Sequence, residues 1–280
     1  MRIYEAISKG VKKLKECNIN NPYLDSEILM AQVLKKDRKY LILNIKKKLC
    51  INIIKKYFDL IEVRSLGKPV AYITGKKEFW NYEFKVKDGV LIPRPETEMI
   101  IDQVLKLTVN KTKLNILDIG VGSGCILLSI LKEKREFLGT GVDISKKCIE
   151  ISYLNSRNMN LKNRVKFFKT DIDNFNYGKY DLIISNPPYL KKLDFKYLDK
   201  DVANFEPKIA LDGGIEGLSV IRKTIKKSSE LIKKNGLFIL EIAFDQKNIV
   251  KNLLRNKGFY INKILKDFAN NDRCIISRKI

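Results

Sequence analysis

Leu114-Asn115-Ile116-Leu117-Asp118-Ile119-Gly120-Val121-Gly122-Ser123-Gly124 opens as an apolar run and closes as a glycine-rich turn. A short apolar run bounded by turn residues reads as a buried strand. The stretch that follows, 125–131, is apolar and long enough for a helix. Glycines between a strand and a helix let a ligand approach the backbone closely over the helix N-terminus. A further strand-like run, 137–142, ends in Asp143. That acid falls about 20 residues after the glycines, where it would meet a ribose hydroxyl pair. Strand, loop, helix, strand and acid in this order imply an α/β fold with a mostly parallel sheet. The loop is not a dinucleotide fingerprint, because Cys125 stands where the third glycine would be, and no Gly-Lys-Ser/Thr follows to make a phosphate loop. It suits a nucleoside cofactor without a pyrophosphate, held by Gly120, Val121, Gly122, Ser123, Gly124 and Asp143. Asp171-Ile172, after the run 164–170, would border the base, although Asp171 reads equally well as a simple loop acid.

Downstream, Tyr180-Asp181-Leu182-Ile183-Ile184-Ser185 is another buried-strand run, and it leads into Asn186-Pro187-Pro188-Tyr189. Open α/β sheets place their ligands where strands end. Both Asn186 and Pro187 precede a proline, which drives them toward extended backbone. Proline fixes φ and lacks an N–H. The loop is therefore stiff and offers mainly acceptors: the Asn186 side-chain oxygen and backbone carbonyls. Tyr189 adds a flat ring that can pack on a planar group. An amide or the amino group of a base has two donors and a planar face, and this loop complements both. Asn-Pro is also a common turn dipeptide, so a merely rigid turn is the competing reading.

The 280 residues permit one large or two modest domains. Apolar residues recur at helical spacing in 3–14, 24–34 and 51–66, with Gly67 as a stop. Residues 72–92 alternate apolar and polar, with Asp88-Gly89 as a turn signal, and predict a hairpin between domains. The predicted organisation is a helical domain over 1–71, a β-hairpin linker over 72–92 and an α/β domain over 93–280. Late runs at 237–242, 260–266 and 273–277 should complete the sheet. No long apolar N-terminal run or 18-residue apolar stretch is present, so neither a signal peptide nor a membrane span is expected. Five scattered cysteines without Cys-x-x-Cys spacing read as reduced, buried thiols of a cytoplasmic protein. Histidine is absent, which removes it as base, as partner of a nucleophile or as metal ligand, and no metal site is expected.

The formal net charge is +23, which alone would suggest nucleic acid as a partner. Only 11 of the 55 basic residues are Arg, and the other 44 are Lys spread along a chain rich in Ile and Asn. Lys is the weaker residue for bidentate phosphate or base contacts. The excess reads as compositional drift, and direct nucleic-acid binding is not expected. Lys46-Lys47-Lys48 and Lys191-Lys192 read as solvated faces.

Asp118-Ile119-Gly120-Val121-Gly122-Ser123-Gly124 and Asn186-Pro187-Pro188-Tyr189 together resemble a class I S-adenosylmethionine-dependent methyltransferase acting on a planar nitrogen. Tyr72-Ile73-Thr74-Gly75-Lys76-Lys77-Glu78-Phe79-Trp80 and Leu91-Ile92-Pro93-Arg94-Pro95-Glu96-Thr97-Glu98 narrow the resemblance to the bacterial peptide-chain release factor glutamine methyltransferases, the PrmC/HemK family. Asn21-Pro22-Tyr23-Leu24-Asp25-Ser26-Glu27-Ile28-Leu29 is similar to that family's N-terminal helical domain. Glu206-Pro207, Ala210-Leu211-Asp212-Gly213-Gly214 and Gly217-Leu218 resemble its segment after the catalytic loop. Ala243 and Asn270 stand where the family pattern has glycine. The resemblance implies a Rossmann-like fold whose last strand, over 273–277, is antiparallel, S-adenosyl-L-methionine as cofactor, and methyl transfer to the glutamine amide of the Gly-Gly-Gln motif of release factors by a monomer. It implies that Asn186, Pro187 and Tyr189 are catalytic, that Asn186, Pro187, Pro188 and Tyr189 bind substrate, and that Asn186 also borders the cofactor. The same loop chemistry would serve an amino-methyltransferase of nucleic acid or of a ribosomal-protein glutamine.

Overall fold

The computed structural model describes all residues, 1–280. The chain divides into two compact units: Met1–Lys76 with Asp199–Phe205, and Lys77–Leu198 with Glu206–Ile280.

The first unit is helical: α1 (Ile3–Glu16), α2 (Pro22–Leu34), α3 (Arg38–Leu43), α4 (Ile51–Ser65) and α5 (Val70–Thr74). Ile3, Ala6 and Leu14 of α1 recur at helical spacing and pack on Leu29 and Met30 of α2 and on Tyr57 and Ile61 of α4. α4 ends before Gly67, whose φ of +97° is open to glycine and costly for other residues. Buried Arg64 donates from Nε to Asp25 at 2.7 Å and from Nη1 to the Gly67 and Lys68 carbonyls. The short helices α3 and α5 lie outside the periodic runs, being too short to show a repeat.

A two-stranded hairpin follows, β1 (Lys76–Phe79) and β2 (Tyr82–Lys85). It is shorter than the 72–92 span read from sequence: 72–74 are helical, the reversal between the strands falls at Trp80-Asn81, and Asp88-Gly89 forms a separate turn beyond β2, closed by Val90 N–H on the Lys87 carbonyl. Trp80 takes φ +56° while its N–H donates to Glu98 at 2.7 Å and its indole donates to Glu133 at 2.9 Å.

The remaining elements are α6 (Glu98–Leu107), β3 (Asn115–Ile119), α7 (Cys125–Glu133), β4 (Leu138–Asp143), α8 (Lys146–Asn158), β5 (Val165–Lys169), β6 (Tyr180–Ser185), α9 (Lys200–Phe205), α10 (Ser219–Leu231), β7 (Ile232–Glu241), α11 (Lys247–Asn256), β8 (Phe259–Lys266) and β9 (Asp272–Lys279). Seven strands form one sheet in the order β5-β4-β3-β6-β7-β9-β8. The first five are parallel, and β9 runs antiparallel to both of its neighbours, as the resemblance implies. Strands covered on both faces need apolar residues at consecutive positions. Ile116 and Leu182 accordingly join one core and Leu117 and Ile183 the other, on opposite faces of the sheet. Strand order reverses between β3 and β6, so the crevice beyond their carboxyl ends is where such a sheet accepts a ligand.

No helix is long and apolar enough to cross a membrane. All five cysteines are free. Cys125, Cys148 and Cys274 are buried, whereas Cys17 and Cys50, expected to be buried as well, are exposed because they stand at helix ends, after α1 and before α4.

Candidate active site

The sheet register lines up the ends of four strands. Ile119 pairs with Val142 on one side and Ser185 on the other, and Ser185 pairs with Leu240. The next residue of each strand is therefore level with the others: Gly120, Asp143, Asn186 and Glu241. These four stand in one row at the carboxyl edge of the sheet.

Above this row lies a cavity of about 410 Å³, within the ~300–1,000 Å³ range of small-molecule sites. Of the residues singled out in the sequence, Gly120, Gly122, Asp143, Asp171, Ile172, Asn186, Pro187 and Pro188 line it. Val121, Ser123, Gly124 and Tyr189 do not. Val121 packs in the core, Ser123 is buried behind the turn, and Gly124 caps α7. These three shape the glycine loop from behind. Gly124 has φ +81°, and a Cβ there would lie 2.9 Å from Leu128. A Cβ on Gly120 or Gly122 would find nothing nearer than 3.9 Å, so it would enter the cavity itself. The space in front of these two glycines is what a close-packed nucleoside needs.

Asp143 accepts the Gly122 N–H on Oδ2 at 2.9 Å and the Ser145 N–H on Oδ1 at 2.8 Å. Each oxygen keeps a lone pair for a hydroxyl. Burial raises its carboxyl above the ordinary range, and the two amides counter that. From the outer side α8 holds the loop. Ser152 donates to the Gly122 carbonyl at 2.9 Å, and Asn155 donates to the Ser123 carbonyl at 2.9 Å. Asp171 lines the cavity, and its Oδ1 accepts Asp173 N–H to cap the turn Ile172–Asn174. Lys223 of α10, also on the cavity wall, sits 4.0 Å from Asp171 and 2.9 Å from Asp173.

The Asn-Pro-Pro-Tyr loop faces the glycines: the Asn186 carbonyl is 3.9 Å from where a Gly120 side chain would begin. Pro187 is buried, Asn186 and Tyr189 half-buried. Asn186 Nδ2 donates to Thr97 Oγ1 at 3.2 Å, and Thr97 Oγ1 donates to Glu241 Oε2 at 2.9 Å. Tyr189 OH reaches Glu241 Oε1 at 3.4 Å. Burial first, then the Glu241 charge, holds the Tyr189 hydroxyl well above its ordinary value. Gln246 donates to the Tyr189 carbonyl at 3.1 Å and to the Gly217 carbonyl at 3.0 Å. Leu190 pairs with the returning strand-like segment, its N–H on the Leu211 carbonyl and its carbonyl on the Gly213 N–H. Glu206 is buried, accepting Arg94 Nη2 at 2.5 Å and the Ile92 N–H at 3.3 Å. Two of the segments that carried the sequence resemblance, around Thr97 and over 211–217, thus brace the same loop. Thr97 and Glu206 stood in the sequence reading only within the resemblance, and neither they nor Glu241 and Gln246 were singled out as site residues. Glu241 had a visible signal, because it ends an apolar strand run as Asp143 does.

Two family models match the chain, the PrmC N-terminal domain over residues 5–75 and the methyltransferase small domain over 97–204. The release factor glutamine methyltransferase of Clostridium acetobutylicum is 39% identical over 280 residues, covering 99% of this chain and 98% of that protein. The chain belongs to the release factor glutamine methyltransferase family. Members with the same description from Buchnera aphidicola and Caulobacter vibrioides are 36% and 32% identical, each over 100% of this chain and over 100% and 97% of their own length. Among solved structures, a methyltransferase from Pyrococcus furiosus shares the fold at TM-score 0.52 and 18% identity, covering 70% of this chain and 89% of that one. A ribosomal protein L11 methylase from Lactobacillus delbrueckii subsp. bulgaricus gives 0.51 and 17%, covering 70% and 84%.

Proposed function

We propose that this family member transfers a methyl group from S-adenosyl-L-methionine to the side-chain amide nitrogen of the glutamine in the Gly-Gly-Gln motif of bacterial peptide chain release factors, in the cytoplasm. One observation carries the reading. The acceptor loop Asn186-Pro187-Pro188 and the glycine loop Gly120–Gly122 wall one cavity, so an amide bound by the first lies against a cofactor bound by the second. Family membership supports the substrate, and the first 71 residues are proposed as the part that recognises the protein carrying it.

The cofactor supplies a methyl on a positive sulfur, a leaving group that needs no acid. Gly120 and Gly122 would leave room for it, Asp143 would offer its free lone pairs to the ribose hydroxyls, and Asp171 with Ile172 would flank the base. The substrate nitrogen is a poor nucleophile because its lone pair is shared with the carbonyl; the barrier of ~18–20 kcal/mol to twisting an amide measures that sharing. Asn186 Oδ1 meets no protein donor and would accept one N–H of the substrate, and the Pro187 carbonyl the other. Two fixed acceptors orient the nitrogen and stabilise the positive charge that grows on it. On receiving the methyl, with the C–S pair staying on sulfur, the nitrogen would carry one extra proton, which water would take. No general base is required, in keeping with a chain that has no histidine. Tyr189 would pack against the amide plane.

The test is transfer of labelled methyl to a purified release factor, beside a copy whose Gly-Gly-Gln glutamine is alanine. Label on the first alone is expected. In the same assay Asn186→Ala should lose turnover by about 100-fold, the scale of removing a preorganised polar group at a reacting centre, and should lose cofactor affinity far less. Label on neither protein, or equal label on both, would overturn the substrate assignment; wild-type turnover by Asn186→Ala would remove that residue from the mechanism.

A further inference from the structure

A side-chain amide can point either way, and the two ways have opposite consequences at Asn186. With Oδ1 toward the cavity the loop offers an acceptor; with Nδ2 toward it, the loop would oppose the N–H groups it has to hold. The prolines restrict the backbone and say nothing about this choice.

We propose that Thr97 and Glu241 set the direction of the Asn186 amide, and that they are positioning residues for the methyl acceptor. The inference rests on the amide chemistry proposed above. An ionised carboxylate only accepts, and a hydroxyl has one proton to give. Thr97 spends that proton on Glu241 Oε2 at 2.9 Å. Its oxygen is then left to accept, and Asn186 Nδ2 stands 3.2 Å away as the donor. The reversed amide would set Asn186 Oδ1 against Thr97 Oγ1 with no proton between them. Oδ1 is therefore turned away from Thr97. The second oxygen of Glu241 meets Tyr189 OH at 3.4 Å, so one buried carboxylate holds both ends of the loop. Gln246 fixes the Tyr189 carbonyl independently. Residues from three places are needed: Thr97 ahead of α6, Asn186 after β6 and Glu241 at the end of β7.

The relay is also sensitive to pH. Burial pushes the Glu241 carboxyl up to about 7, with Glu96 adding to the rise, while the hydrogen bonds of Thr97 and Tyr189 and the charge of Arg273 oppose it. Arg273 lies next to Cys274, the β9 residue paired with Glu241, and is itself held by Asp267 at 2.9 Å. A carboxyl with a raised pKa is ionised above that pH and protonated below it. Protonated, it can donate to Thr97, whose own proton is then free to turn to Asn186 and favour the wrong amide direction. Turnover should therefore fall as pH drops through about 7.

The experiment measures kcat and KM for Thr97→Val, Thr97→Ser and Glu241→Gln across the pH range. It also follows the side-chain amide signals of Asn186 by nuclear magnetic resonance in the absence of substrate. Thr97→Val keeps the shape of the site and removes the hydroxyl. It should lower kcat about tenfold or more with cofactor KM unchanged, the scale of one lost charge-linked hydrogen bond, while Thr97→Ser stays near wild type. Glu241→Gln can still accept from Thr97 and has no proton to gain, so the acid limb near pH 7 should disappear. In wild type the Asn186 amide signals should titrate near that pH, and in Glu241→Gln they should not. Wild-type kcat in Thr97→Val, or an acid limb that survives Glu241→Gln, overturns the proposal. If no variant and no wild-type protein methylates a release factor, the functional reading fails, and the amide titration alone still supports or overturns the relay.

Discussion

Asp118 is a carboxylate in the middle of β3, buried, with no well-formed hydrogen bond to either oxygen. Burial, with the charge of Asp143 added, pushes its pKa up to about 8, and the Leu127 amide only partly offsets this. An acid that binds its proton more tightly when folded loses stability as pH rises through the window between its unfolded and folded values. For Asp118 that window opens at its ordinary 3.8 and closes near 8; below it no penalty exists, and above it the whole cost of a lone buried charge is present. Asp118→Asn removes the titration without changing the shape. It should raise the thermal midpoint of the ligand-free protein by a margin that widens from about pH 5 to about pH 9. A margin independent of pH would mean that water or movement already relieves the charge. The sequence shows this residue plainly, as the acid opening the glycine stretch, yet it shows nothing about its isolation. Isolation is a property of what α7 and β4 bring around it, and no local pattern records that.

At the scale of elements, most of the site was legible because it sits at strand ends. Runs of apolar residues marked β3, β4 and β6, and the residues just past them are Gly120, Asp143 and Asn186. The same rule points to Glu241, past the apolar end of β7, but its partner Thr97 lies 144 positions away and only the register of the sheet makes the pair meaningful. The segment Leu211–Gly217 was legible as a resemblance and not as physics. The structure supplies the reason: Gly217 has φ +72°, and a Cβ there would stand 2.3 Å from the Tyr189 carbonyl. Gly217→Ala should therefore displace the catalytic loop, and a shift of about 1 Å at a reacting centre can cost on the order of 100-fold in rate. Gly75 is the control. It has the same φ of +72°, but a Cβ there meets nothing within 4 Å. Gly75→Ala should lose only the roughly 1–2 kcal/mol of left-handed backbone strain and keep its turnover. If denaturant midpoints and kcat fall together and equally in both variants, strain alone explains Gly217 and the contact with Tyr189 is irrelevant.

For the whole molecule, family membership favours protein over nucleic acid as methyl acceptor. The loop chemistry does not separate them, because an exocyclic amino group and an amide present the same donors. The net charge of +23 argues for nucleic acid; its composition argues against, since 44 of the 55 basic residues are Lys. The structure adds that Lys223 on the cavity wall and several other lysines of the second unit are paired. Lys191 pairs with Asp245, Lys223 with Asp173, Lys227 with Glu230 and Lys247 with Asp272. Paired cations do not make the unbroken positive groove that tracks a phosphate backbone. Binding to RNA should then be the sequence-independent kind that a cationic surface gives any polyanion. Such binding releases counterions and falls steeply with salt, whereas recognition that depends on a fitted protein surface falls far less. Affinity for an unstructured RNA should drop by at least about tenfold between ~50 and ~200 mM salt, with no methyl transferred to it at either. Methyl transfer to the release factor should persist across the same range. Labelled RNA at the higher salt would reverse the assignment, because an acceptor that survives loss of the electrostatic attraction must be held by the site itself.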